Sequence, residues 1–158
     1  TVTLPSGSEY HTLRYRVGAS TANRRVVALT PAVEWGTFYG GTRRQMTLDT
    51  TVRVRPGVII YLSNEWNDVH LPAGRFSTTL FRMTPEIQFN QWLALVNTVQ
   101  YDSVSRVLGW QSRFRWIIKP GNDLYVVYTQ NWLDDPTLNR LTTLNRRAAT
   151  KFIYTHRF

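Results

Sequence analysis

Arginines at alternate positions are the side chains of this chain best suited to binding chemistry. Arg53 and Arg55 are separated by one residue, and Arg113 and Arg115 repeat that spacing. Because the side chains of a strand alternate between its two faces, each pair is expected to share one face. A guanidinium group binds carboxylates and phosphates through two parallel hydrogen bonds, so an arginine-rich face favours anionic solutes. The residues expected on this face, with Glu86 as a partial counter-charge, are Arg53, Arg55, Arg82, Glu86, Arg113, Arg115, Lys119, Lys151 and Arg157.

No arrangement typical of an enzyme or a metal site accompanies these arginines. His11, His70 and His156 are far apart and lack metal-ligand spacing, and the chain contains no cysteine. Asp134 and Asp135 have no second pair of oxygen ligands close by, as a calcium loop requires. The sequence therefore predicts no catalytic residues, no metal and no cofactor, and favours a protein that is not an enzyme.

The elements that position the arginines are predicted to be strands. β-branched and aromatic residues dominate, and apolar residues rarely recur at helical spacing. The pattern predicts one all-β domain over residues 1–158, an antiparallel up-and-down meander of about eight or nine strands. The expected strands are 10–17, 25–38, 43–55, 58–68, 76–89, 92–103, 109–119, 123–133 and 144–158.

The connections are expected to alternate between tight and long. Tight turns are predicted at Pro56-Gly57, Asn90-Gln91 and Pro120-Gly121-Asn122. Longer connections are expected near 69–75, 104–108 and 134–143. Outer-membrane β-barrels have short periplasmic turns and longer outer loops, so the alternation favours a barrel of that kind.

The C-terminal residues strengthen this interpretation. From Phe152 the chain alternates, with Phe152, Tyr154, His156 and Phe158 on one face. A terminal strand that closes on Phe resembles the last strand of an outer-membrane β-barrel. Phe158 is accordingly the expected assembly signal, recognised by the barrel assembly machinery.

Aromatic residues near the strand ends indicate an interface with lipid, as in the aromatic girdles of barrels. In a membrane barrel the apolar face meets lipid and the polar face lines the lumen. In a soluble sheet the polar face is the outside and the tryptophans pack in a core, so alternation alone leaves both interpretations open. The expected interfacial aromatics are Trp92, Trp110, Trp116, Trp132 and Tyr154.

The formal charge of +9 and the pI near 10.5 raise nucleic-acid binding as a hypothesis. Basic residues are dispersed through the strands rather than clustered, which argues against it. The longest apolar runs, such as 58–62, are far shorter than the ~20 residues of a membrane-spanning helix.

Several segments in matching order resemble one family. They are Gly36–Arg44, Val69–Phe76, Val99–Val104, Arg113–Trp116, Pro120–Tyr128 and Tyr154–Phe158. Through them the chain resembles the C-terminal membrane-barrel region, a domain of unknown function, of bacterial envelope proteins that carry an N-terminal family-nine-type carbohydrate-binding module. The resemblance implies an outer-membrane β-barrel, a chain that is the end of a longer protein, and an association with surface glycans.

Two function hypotheses therefore stand. The first is a segment of a bacterial outer-membrane β-barrel, associated with glycan binding or with solute transport through an arginine-rich lumen. Its expected partners are outer-membrane lipid, the assembly machinery, and glycans or anionic solutes. The alternative is a soluble antiparallel β-barrel or sandwich that acts as a ligand-binding or protein-interaction module.

Overall fold

The chain forms one antiparallel sheet of nine strands. The computed structural model describes residues 9 and 11–155. Each strand pairs antiparallel with the next, so the sheet order follows the chain order and the predicted all-β meander is confirmed. Within the described residues, no helix is long and apolar enough to cross a membrane. The strands are β1 (Arg14–Gly18), β2 (Val27–Phe38), β3 (Gly41–Arg55), β4 (Val58–Leu71), β5 (Gly74–Gln88), β6 (Leu93–Asp102), β7 (Val107–Lys119), β8 (Asn122–Asp135) and β9 (Arg140–Ile153).

The predicted long connections near 69–75, 104–108 and 134–143 are wrong, because the strands extend into them. Two residues join β4 to β5, and four residues form each of the connections 103–106 and 136–139. The longest connection in the described sheet is 19–26, at the end that carries the two Pro-Gly turns. The alternation of tight and long connections is therefore absent.

Backbone conformation explains why so few residues suffice. Tyr39 and Gly40 both have positive φ, 48° and 77°, as a two-residue type I′ hairpin turn requires. Arg106 and Asn139 also adopt positive φ, 54° and 46°, which lets a four-residue connection reverse the chain. Asn139 is a residue type that tolerates this conformation, whereas Arg106 is an unusual choice for it and gives no turn signal in the sequence.

The sheet has two faces of opposite character, which we call the apolar face and the polar face. The apolar face carries a row of paired residues across β4 to β8 that contains only hydrocarbon side chains: Val58, Ile87, Leu95, Phe114 and Val126. The polar face carries a row across β2 to β5: Glu34, Gln45, Asn67 and Thr78. Because cross-strand partners point to the same side of a sheet, these two rows identify the face of every paired residue.

Few side chains are buried on either face of the sheet. Only Ala28, Val69 and Asn67 are buried among the described residues, and the pairing register puts all three on the polar face. On the apolar face, Met46 and Leu48 are 41% and 43% exposed. Strands have substantial contacts only with their neighbours in the sheet, so nothing in the described chain covers the apolar face.

The two edge strands leave the sheet open. β1 and β9 do not pair with each other in the described residues. Since successive strands alternate in direction, β1 and β9 run the same way. Joining them directly would create a parallel pair, whereas an all-antiparallel closure requires an odd number of further strands between them.

Candidate functional site

The register places most of the predicted basic residues on the polar face. Arg82 lies opposite Ser63 and Gln100, and Arg113 lies opposite Val96 and Val127. The other members of the predicted set that share this face are Arg53, Glu86, Arg115 and Lys151. The i, i+2 rule therefore holds for Arg113 and Arg115.

Two predicted members lie elsewhere. A β-bulge between Arg53 and Arg55 shifts the register, so that Arg55 lies opposite Val58 of the apolar face. A second bulge, between Ile117 and Lys119, pairs Lys119 with Asn122. Asn122 is two residues from Leu124 on β8, so Lys119 lies on the apolar face. A bulge inserts one residue into a strand and ends the strict period of two, which is why the spacing rule fails here.

Both bulges directly precede a Pro-Gly turn at the same end of the sheet. Each therefore brings one exposed basic side chain to the rim of the apolar face. The predicted site residue Arg157 and the predicted assembly residue Phe158 lie outside the described residues.

The tightest part of the polar face is a hydrogen-bond network around Arg43. Its guanidinium donates to Asn67 Oδ1 through Nε at 3.0 Å and Nη2 at 2.7 Å, and Nη2 also donates to Gln45 at 2.7 Å. Asn67 Nδ2 in turn donates to Glu65 and Thr78 at 2.9 and 3.2 Å. The guanidinium also lies 5.7 Å from the centroid of the Phe38 ring. The network spans β2 to β5 and fixes the side chains of this part of the polar face.

Other arginines on this face are less constrained. Arg82 donates to Gln100 Oε1, a neutral partner, from Nε and Nη2 at 3.1 and 2.9 Å. Arg115 forms an ion pair with Asp123 at 2.8 Å, and its guanidinium lies 5.6 Å from the Tyr125 ring centroid. Arg113 has no ion pair with a described residue.

The polar face as a whole is positive. Its paired strand residues include ten basic side chains, namely Arg14, Arg16, Arg43, Arg53, Arg82, Arg113, Arg115, Arg140, Arg147 and Lys151. They include seven acidic ones, namely Glu34, Asp49, Glu65, Glu86, Asp102, Asp123 and Asp135. The excess of basic over acidic side chains gives the face a potential that attracts anions.

The predicted interfacial tryptophans occupy the apolar face near its two rims. Trp110 and Trp132 lie toward the end that holds Tyr39-Gly40, and Trp116 lies toward the Pro-Gly end. Trp110 and Trp116 are six residues apart on β7, or about 20 Å along the strand. Trp92 precedes β6, and Tyr154 follows β9 and stacks on Phe152 with centroids 6.4 Å apart.

One charged cluster lies on the apolar face, at the rim near Tyr39-Gly40. The register aligns Trp35, Arg44 and Asp68 in one row, with His70 and Arg75 paired in the next row out. Arg75 donates to both carboxylate oxygens of Asp68, at 3.0 and 2.8 Å. These residues line a hollow of about 460 Å³.

The carboxylates are engaged in structural contacts. Asp134 pairs with Arg106 at 3.1 Å and accepts a hydrogen bond from the Tyr101 hydroxyl. Asp135, the last residue of β8, accepts hydrogen bonds from the hydroxyl and backbone N–H of Thr137, and these lower its pKa. In the described part of the chain, no group of three or more His, Asp or Glu side chains is placed to hold a metal.

Arg43 and Asn67, the centre of the polar hydrogen-bond network, were not among the residues predicted from the sequence. The sequence alone could have assigned Arg43 to the polar face, because it is separated from Thr47, Asp49 and Arg53 of the same strand by even numbers of positions. Asn67 became recognisable only through pairing, since its role depends on β3 lying beside β4 in one register.

The comparisons with known proteins give the chain no relatives from which a function could be transferred. No protein-family model, curated protein or solved structure matches it.

Proposed function

We propose that this chain is part of a bacterial outer-membrane β-barrel whose apolar face contacts lipid and whose polar face lines an arginine-rich lumen. In this proposal it is not an enzyme, and it serves surface glycan binding or the transport of anionic or sugar-like solutes. The barrel belongs to a larger assembly of strands, because nine antiparallel strands cannot close on themselves without a parallel pair.

The observation that carries the proposal is the uncovered apolar face. Phe81, Trp116 and Phe152 are 37, 43 and 56% exposed, and all three lie on that face. A soluble sheet buries such a face against a second layer. Apolar surface is stabilised by about 25 cal/mol per Å² when it leaves water, so a continuous exposed face of this size requires an apolar environment. Lipid supplies that environment without a second layer of protein.

The polar face supports the solute part of the proposal. It combines unpaired cationic groups, such as Arg113, with hydroxyl and amide groups. Thr98, Gln100, Gln111, Thr129 and Asn131 contribute to a hollow of about 330 Å³ on this face. Guanidinium groups bind carboxylate and phosphate, while amides and hydroxyls bind sugar hydroxyls.

A soluble sheet that packs its apolar face on a partner protein is the second candidate, and one observation favours it. Arg146 lies opposite Gln130 in the middle of the β8–β9 pair, on the apolar face. A basic side chain is costly near the centre of a bilayer, although Arg reaches toward the headgroups when it can.

The deciding experiment is fractionation of the full natural protein between outer membranes and the soluble fraction. Recovery in detergent-extracted outer membranes, together with a gel mobility that changes on heating, is the expected result. Recovery in the soluble fraction, with no detergent requirement and no heat-dependent mobility, would overturn the proposal in favour of the soluble sheet.

A further inference from the structure

We infer that the charged cluster at the rim of the apolar face is a binding site for the phosphate group of a membrane lipid. We call it the rim cluster and define it as Trp35, Arg44, Asp68, His70 and Arg75. The inference rests on the proposed function, because it requires the apolar face to contact lipid. It adds a ligand class and a named set of residues to that function.

The cluster is built around a partly buried carboxylate. Asp68 is the least exposed member, with a side chain 12% exposed, and it accepts two hydrogen bonds from Arg75. His70 Nε2 lies 3.6 Å from the same carboxylate. Arg75 and His70 are themselves 67% and 50% exposed. Asp68 therefore orients two cationic or potentially cationic groups while leaving their outer surfaces available to a ligand.

Charge complementarity favours an anion. Arg44 lies beside Asp68 in the register and is exposed. Asp68 offers one negative charge against the two guanidinium groups of Arg44 and Arg75, and His70 adds a third positive charge when protonated. A guanidinium carries five N–H donors, and the bidentate contact with Asp68 uses two of those on Arg75. The remaining donors match phosphate oxygens, which accept charge-assisted hydrogen bonds from Arg in paired geometry.

The position of the cluster identifies the source of the phosphate. The hollow opens on the same face as Met46, Leu48 and Trp66, which lie one to three rows further from the rim. Trp35 and Tyr15 stack with ring centroids 6.0 Å apart and continue the row that contains Arg44. A ligand held here would have its phosphate at the arginines and its hydrocarbon against the apolar face. That arrangement fits an amphiphile at the membrane interface better than a free anion.

The test uses the full natural protein, purified in a nonionic detergent and transferred to lipid nanodiscs. The discs contain either phosphatidylcholine alone or phosphatidylcholine with a phosphorylated glycolipid such as lipopolysaccharide. Bound glycolipid per protein is measured by native mass spectrometry and by ³¹P NMR. The variants are the double substitution Arg44→Gln with Arg75→Gln and, as a control, the double substitution Arg24→Gln with Arg25→Gln. Arg24 and Arg25 are exposed in the connection 19–26, at the opposite rim, and their substitution removes the same two positive charges.

The expected result is that the Arg44→Gln, Arg75→Gln variant retains at least tenfold less glycolipid than the wild type, while the Arg24→Gln, Arg25→Gln control retains as much as the wild type. Equal retention by all three proteins would overturn the inference, and an equal loss in the control would overturn it in favour of general electrostatic attraction. If millimolar inorganic phosphate displaces the glycolipid and binds the cluster equally well in discs of either lipid composition, the ligand is a free anion rather than a membrane lipid. Heat-dependent mobility is recorded for each protein, so failure of the membrane proposal is seen separately from failure of this site.

Discussion

The sharpest prediction compares arginine at two depths on one strand of the apolar face. Leu93 and Leu95 are both leucines of β6, both half-buried, and both on this face. Leu95 lies opposite Phe114, near the middle of the span between Trp110 and Trp116, whereas Leu93 lies opposite Trp116 at the rim. We expect Leu95→Arg to destabilise the membrane-inserted protein far more than Leu93→Arg.

The size of the difference follows from the geometry. Along β7 the row of Leu95 is one residue from the centre of the Trp110–Trp116 span, or about 3 Å, and the row of Leu93 is three residues away, or about 10 Å. With a strand tilt near 40°, the distances of the two rows from that centre along the membrane normal are about 2 and 8 Å. Arginine costs about 2–4 kcal/mol at the bilayer centre and about 0–1 kcal/mol at the interface. The row of Leu93 covers only part of the distance to the edge of an apolar band about 25 Å tall, so the expected gap is about 1–2 kcal/mol, or roughly 5- to 30-fold in the folding equilibrium.

The assay is reversible unfolding of the full natural protein from phospholipid bilayers by guanidinium chloride, followed by tryptophan fluorescence. Thr98→Arg is the matched control, because Thr98 lies on the same strand and on the polar face. It is expected to change the free energy of unfolding by less than about 1 kcal/mol, as a surface substitution does. Equal costs at positions 93 and 95 would refute the lipid-facing interpretation, since a protein core has no such depth gradient.

Three further predictions address assembly, the polar network and selectivity. Deletion of Phe158 is expected to lower the yield of heat-modifiable protein in outer membranes, and normal insertion of the truncated protein would contradict its role as an assembly signal. Arg43→Met is expected to destabilise the protein by about 1.5–3 kcal/mol, because it removes charge-assisted hydrogen bonds to the buried Asn67. Arg82→Met, which removes bonds to an exposed partner, should cost less in the same denaturant titration, and the opposite order would argue against the network. If the full barrel conducts ions, Arg113→Glu should move its reversal potential toward lower anion selectivity, and an unchanged potential would remove Arg113 from the pore lining.

The fold was predictable because its signals are local. Alternation of apolar and polar residues identifies strands, and Pro-Gly or Asn-containing pairs identify turns. The connections were predicted less well, since their length depends on positive φ at Arg106 and Asn139, which are not glycines. When a residue type has several allowed backbone conformations, the sequence alone does not predict which one the flanking strands impose.

The face of each arginine was predictable only as far as the period of two persists. The period of two gave the correct face for Arg53, which precedes the bulge in its strand, and for Arg113 and Lys151, which are several residues from a bulge. It gave the wrong face for Arg55 and Lys119, because a bulge depends on how two strands meet a turn rather than on one strand's own sequence. The rim cluster was also missed, because its members come from strands that only the register brings together.

The open edge and the uncovered face support the proposed membrane barrel by independent routes. β1 and β9 run in the same direction, so an all-antiparallel closed sheet needs further strands in any environment. Exposed apolar residues, such as the row of Leu95, Phe114 and Val126, need contact with lipid or protein whether or not the sheet closes at its edges. A partner protein covering the face would leave both edges open. Closure by further strands within a membrane satisfies both requirements together, and it is the arrangement that puts Arg82 and Arg113 around an interior.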